Sequence, residues 1–147
     1  MGYLVLFIRL QLVLGTINNI MSSLISKKSA KLTLDWCIDR YGTSLHNDLS
    51  TLEIKFRSKL AFYGEYDSDD NAIYINPTKH KTLIDLVNTV IHEYTHFKQN
   101  IDGMYTKYYD RYGRTYENHP HEISAHRTAD RDQREARRWV LNQLRKK

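Results

Sequence analysis

Residues 92–96 read His92-Glu93-Tyr94-Thr95-His96, inside the most regular apolar period of the chain. Leu83, Leu86, Val87, Val90, Tyr94 and Phe97 recur at three- and four-residue steps, the spacing of one buried stripe on an α-helix. Thr82 followed by Asp85 matches a capping box at its start, and Gly103 reads as its end. The spacing predicts a helix over 82–100. On such a helix residues i and i+4 lie about 40° apart around the axis and ~6 Å apart along it. His92 and His96 so placed converge on one ion at ~2.0–2.1 Å. Glu93 falls one position further round, beside the ion, within reach of a water held there.

At 147 residues the chain is long enough for one domain with its own core. A hydrophobic content of 41% and a charged content of 27% exclude a collagen-like, a largely disordered or a multi-span membrane protein. Cys37 is the only cysteine, so neither an intramolecular disulfide nor a Cys-based zinc knuckle can form. A reducing, cytoplasmic setting follows as the expectation. The net charge of +5 is carried by residues 127–147, where eight basic residues face three acidic ones. That end reads as a solvated helix face laced with pairs such as Asp130–Arg134 and Arg131–Glu135. Nucleic-acid binding through it is the less favoured reading, because no recognition motif accompanies the charge.

Residues 1–21 form an apolar extension interrupted by Arg9 and Gln11. Three readings fit residues 2–20: a weak membrane anchor, a packed terminal strand or helix, or translated upstream sequence with Met21 as the functional start. Residues 22–147 read as a single domain. Leu34, Cys37, Ile38 and Tyr41 keep a helical step that Gly42 closes. Strands are expected at 52–56, 60–66 and 72–76, the last two as an antiparallel hairpin around the turn cluster 67–71. Residues 103–119 read as an irregular, tyrosine-rich link. From Pro120 a last helix runs toward Leu144, with Ile123, Ala129, Ala136, Val140 and Leu144 facing inward. The expected fold class is α+β: a small antiparallel sheet packed on the motif helix, with the long C-terminal helix supplying a third ligand.

A catalytic zinc site needs that third protein ligand and one open position. Glu122, His126, Ala129, Gln133, Ala136, Val140 and Leu144 step by three and four along one inward face. An inward carboxylate without a cation is costly, and Glu122 sits in the first helical turn, where free amides support negative charge. The preference therefore falls on Glu122, ahead of His126 and then His119 or His121.

His92-Glu93-Tyr94-Thr95-His96, followed by Pro120-His121-Glu122-Ile123-Ser124-Ala125-His126, resembles the small gluzincin-type metallopeptidases. The likeness is closest to ImmA/IrrE-like proteins and short phage-encoded metallopeptidases, and spans roughly residues 63–137. In that family a Glu of an E-x-x-A helix completes the zinc site, a pattern that Glu122 and Ala125 match. Metzincins continue their motif with Gly and His where this chain has Gln99 and Asp102, so that subfamily is set aside. The resemblance implies a bacterial or phage setting.

The chemistry expected of such a centre is peptide-bond hydrolysis with one Zn²⁺ per chain, His92, His96 and Glu122 as ligands and Glu93 as general base. Tyr112, Tyr116 and His119 are candidate transition-state stabilisers. Asn88 and His126 are candidates for orienting a ligand imidazole. Strand 72–76 is a candidate edge strand for an extended peptide. The expected partner is a protein or peptide substrate, the expected state a monomer, and membrane association depends on residues 2–20. The alternative is a non-catalytic, metal-containing regulatory or binding module, which would have no use for Glu93.

Overall fold

Asp85 N–H donates to Thr82 Oγ1 (3.3 Å) and Thr82 N–H donates to Asp85 Oδ2 (2.9 Å), a reciprocal cap that opens the motif helix. The computed structural model describes residues 2–113 and 115–146, without the side chains of Tyr3, Leu4 and Tyr116. Among the described residues the helices are α1 (Gly2–Ser23), α2 (Lys27–Tyr41), α3 (Leu83–Lys98), α4 (Ile101–Tyr112) and α5 (Pro120–Arg145). Three short strands, β1 (Glu53–Phe56), β2 (Gly64–Asp67) and β3 (Ala72–Ile75), complete an α+β fold.

All six residues of the expected stripe on α3 are buried, and Ile91 joins them. Each such side chain contributes roughly 1.5–3 kcal/mol of burial. The core continues through Ala30, Leu34 and Cys37 of α2 and through Ala129, Ala136 and Val140 of α5. Ile123, expected to face inward, is 37% exposed. It lies one position past Glu122, off the buried face.

The sheet is mixed, which corrects the expectation of an antiparallel one. Its order is β1-β3-β2. β2 pairs antiparallel with β3, from Gly64 opposite Ile75 to Asp67 opposite Ala72. β1 pairs parallel to β3, from Glu53 opposite Ala72 to Phe56 opposite Ile75. β3 is thus the central strand with both edges occupied, and cannot serve as the edge strand expected of 72–76. Four fully buried residues in a row along β3 agree with that central position.

α3 ends at Lys98, not at Gly103, which lies in the first turn of α4. Residues 103–112 of the expected irregular link 103–119 are helical, as part of α4. Glycine lowers helix stability by only about 1 kcal/mol, and Tyr105, Tyr108, Tyr109 and Tyr112 themselves keep a helical step. α1 is apolar and long enough to cross a bilayer, yet nothing between Val5 and Ser23 is buried against the rest of the chain. It is therefore not the packed terminal element that was one reading of residues 2–20.

Polar bonds stitch α2 to the other long helices. Tyr94 Oη donates to Gly42 O (2.6 Å), the Lys98 ammonium donates to Tyr41 O, and Tyr41 Oη donates to Asp132 Oδ2 (2.6 Å). Arg131 grips the same carboxylate with Nε (2.8 Å) and Nη2 (2.7 Å), in place of the expected Arg131–Glu135 pair. The Arg131 bonds lower the Asp132 pKa, burial opposes them, and the Tyr41 bond adds to the lowering. The stabilisation is thus complete above the unfolded carboxyl value of ~3.9 and is lost as pH falls through the lower folded value. Replacing Asp132 with Asn is expected to destabilise by about 1–2 kcal/mol near pH 7, the solvent-screened Arg131 arm adding little. In thermal unfolding the gap from wild type should hold between about pH 5 and 8 and close below about pH 4. A gap that widens in acid contradicts this account.

Candidate metal centre

His92 and His96 stand one turn apart on α3, and the first turn of α5 lays Glu122 across them. Glu122 Oε2 lies 3.2 Å from His92 Nε2, and Oε1 lies 3.4 Å from His96 Nε2. The two Nε2 atoms are 2.9 Å apart. Pro120 at the first helical position fixes the start of α5, so Glu122 follows while backbone amides are still free.

The donor set fits a metal ion. His96 Nδ1 lies 2.9 Å from Gln99 Oε1, and a carbonyl oxygen only accepts. Nδ1 therefore carries a hydrogen whatever the charge of the ring, so loss of the Nε2 proton leaves a lone pair facing His92 and Glu122. Lone pairs facing one another at 2.9 Å repel unless a proton or cation stands between them. His92, His96 and Glu122 offer ligand atoms all within 4.8 Å of one another, and this cluster could hold a metal ion.

Burial alone would raise the Glu122 pKa. The bonds and charges of His92 and His96 outweigh it and hold the carboxyl far below its usual range. Burial lowers His96, but the Glu122 bond and the Glu93 and Glu122 charges reverse the sign and raise it. His121, next in chain, is buried, with Nε2 3.6 Å from Glu122 Oε1 and its ring stacked on Tyr108 at 5.8 Å. Burial lowers its pKa, which favours the neutral ring.

Glu93 occupies the floor of a cleft of about 1060 Å³ that also exposes the His92, His96 and Glu122 cluster. Its Oε2 accepts the Tyr66 N–H of β2 at 2.8 Å. Burial raises its pKa, against His96, His92 and that N–H, leaving a carboxylate with more affinity for a proton than a solvated one. β2 can come this close because its first residue is Gly64. A Cβ there would meet Thr89 Cγ2 at 2.5 Å and Glu93 Cγ at 3.2 Å.

The remaining expected residues fall in several places. The Asn88 amide nitrogen donates to Asp130 Oδ1 and Gln133 Oε1, both at 3.1 Å, and so ties α3 to α5. His126 stands in the cleft with its ring centroid 4.5 Å from that of His92. His119 is buried, with Nε2 bonded to Gly113 O at 2.9 Å, and Tyr112 packs on Tyr108 and His119. Neither lines the cleft, whereas Tyr105 does. The Tyr116 side chain lies outside the described residues. Three participants were not foreseen: Gln99, the Tyr66 N–H and Gly64. Only Gln99 left a signal, since it is three residues past His96 and therefore its neighbour on the helix surface.

No family model, curated protein or solved structure matches this chain. The functional reading therefore rests on the geometry.

Replacing Glu122 with Ala is expected to weaken binding of a divalent metal at the cluster by more than the 10–100-fold typical of an outer partner, and Gln99→Ala should fall inside that range. Zinc titration of the full chain, with metal analysis after gel filtration, measures both. Unchanged affinity in Glu122→Ala would remove Glu122 from the ligand set and make His126 the next candidate.

Proposed function

We propose that this protein is a zinc-dependent peptidase in which His92, His96 and Glu122 hold one Zn²⁺ and Glu93 is the general base. The observation that carries the reading is the buried Glu93 carboxylate beside the three-ligand cluster at the floor of an open cleft. Two imidazoles and a carboxylate suit zinc, and a bound zinc supplies Lewis acidity and lowers the pKa of a water toward ~7. The mixed sheet, α3 and α5 then form one unit: β2 orients the base, α3 carries base and imidazoles, and α5 brings the carboxylate.

The chain's own residues divide the proton work. Glu93 Oε2 is engaged by the Tyr66 N–H, so Oε1 is the oxygen assigned to the proton of the attacking water. The water oxygen bonds to the peptide carbonyl carbon. Glu93 then returns its proton to the leaving nitrogen as the C–N bond breaks. The raised pKa of Glu93 suits both halves, since a base closer to neutrality exchanges a proton more readily. Gln99 keeps the His96 tautomer fixed throughout. Donors for the developing oxyanion are sought among groups that line the cleft, which directs attention to His126 and Tyr105 rather than Tyr112 or His119.

A second reading is favoured by one observation. Arg134, Arg137, Arg138 and Arg145 of α5 line a separate concavity of about 370 Å³ with Ile84 and Leu141. In that reading the metal centre is structural and the arginine surface docks nucleic acid or an acidic protein.

Glu93 separates the two. The Glu93→Gln variant is expected to retain one zinc per chain and to lose roughly 10²–10⁴ of kcat, assayed by mass spectrometry on a peptide-library digest. Equal cleavage by variant and wild type overturns the assigned base. A wild-type chain that binds zinc and cuts nothing favours the structural centre.

A further inference from the structure

We infer that the cleft selects cationic peptide segments, those carrying Lys or Arg beside the bond presented to Glu93. This inference rests on the peptidase reading and names the substrate class of the same site. The site is the cleft with its ligand cluster, and the charges around it qualify what enters.

Five acidic residues line the cleft in addition to Glu93 and Glu122: Glu65 and Asp67 of β2, Asp85 of α3, Asp102 of α4 and Glu117 of the turn before α5. They come from four different elements, so no single acidic loop accounts for them. Among the described residues no Lys or Arg side chain lines the cleft, and none forms an ion pair with any of the five. Where these acids do have partners, the partners are neutral donors that leave the charge uncancelled. Asp85 accepts from Thr82 N–H, Asp102 from Ser68 Oγ, and Asp67 from the N–H groups of Asp69 and Asp70.

The chain as a whole carries +5, so this acidic lining opposes the average charge of the molecule. A low-dielectric cleft of one sign focuses the field and concentrates counter-charged ligands, an effect that falls steeply with salt. The walls complement such a ligand. Phe62 is 65% exposed at the same cleft and offers an aromatic face to the aliphatic stem and cationic head of a Lys or Arg, as the neighbouring Tyr63 ring already does to Lys79 Nζ at 5.9 Å. A ligand with its own carboxylates would meet repulsion from several directions at once.

The test uses the full chain loaded with zinc and three labelled ten-residue peptides differing only at two central positions, Lys-Lys, Gln-Gln or Glu-Glu. Binding is read by fluorescence anisotropy and cleavage by mass spectrometry, at low and high salt. The Lys-Lys peptide is expected to bind about tenfold or more tighter than Glu-Glu at low salt, with the gap collapsing at high salt. Glu65→Gln combined with Glu117→Gln, both at exposed positions, should narrow that gap. Non-specific attraction to a chain of charge +5 would favour Glu-Glu instead, so the sign is diagnostic. Equal affinities, no binding by any peptide, or tighter binding of Glu-Glu overturns the inference. Preferential binding of Lys-Lys with no peptide cut supports the cationic selection and defeats the peptidase reading. Equal cleavage and equal binding of all three does the reverse.

Discussion

Ala125, Ala129 and Ala136 are fully buried on α5, so at these positions its inner face carries nothing longer than a methyl group. That lets α5 come close to α3, and the closeness governs everything at the centre. Two sets of contacts fix the register. His92 and His96 meet Glu122, and one turn back along α3 Asn88 meets Asp130 and Gln133 further along α5. Such a progression belongs to an antiparallel pairing. A slip of one turn would carry Glu122 about 5.4 Å from both imidazoles and leave its carboxylate buried without a partner.

The centre gathers opposing charges, and their balance defines its chemistry. Glu93 and Glu122 are both carboxylates in poorly hydrated surroundings, which disfavours ionisation of each. For Glu122 the two imidazoles win, and the group is held as an anion. For Glu93 burial wins, and its proton affinity rises. Two carboxylates at one cleft thus separate into one held ionised and one with raised proton affinity, set by which one touches the imidazoles. The role of β2 is to hold the second in place, through an N–H that only a glycine-led strand can bring near enough.

Much of this is legible in the sequence. α3 was readable because its cap and buried stripe are local signals that agree with each other, and Glu122 because a seven-position face on α5 put a carboxylate inward. The sheet was readable as strands but not as topology. Alternation in residues 53–56 says nothing of direction, and the parallel partner of β1 is the second strand of the hairpin that follows it, not the first. α4 is less legible because Gly103 reads as a helix stop, against the helical step of the tyrosines that follow it. The Tyr66 N–H is a backbone group, and no side-chain pattern announces it. Gly64 is demanded by an approach between β2 and α3 that exists only once the chain has folded.

The account stands on the meeting of two helices at one cation, and zinc K-edge X-ray absorption of the zinc-loaded full chain measures that directly. It predicts a first shell of light atoms at about 2.0–2.1 Å with the multiple-scattering signature of two imidazoles, and no sulfur. A shell with one imidazole or none, or with a scatterer at the ~2.3 Å of a thiolate, would contradict it.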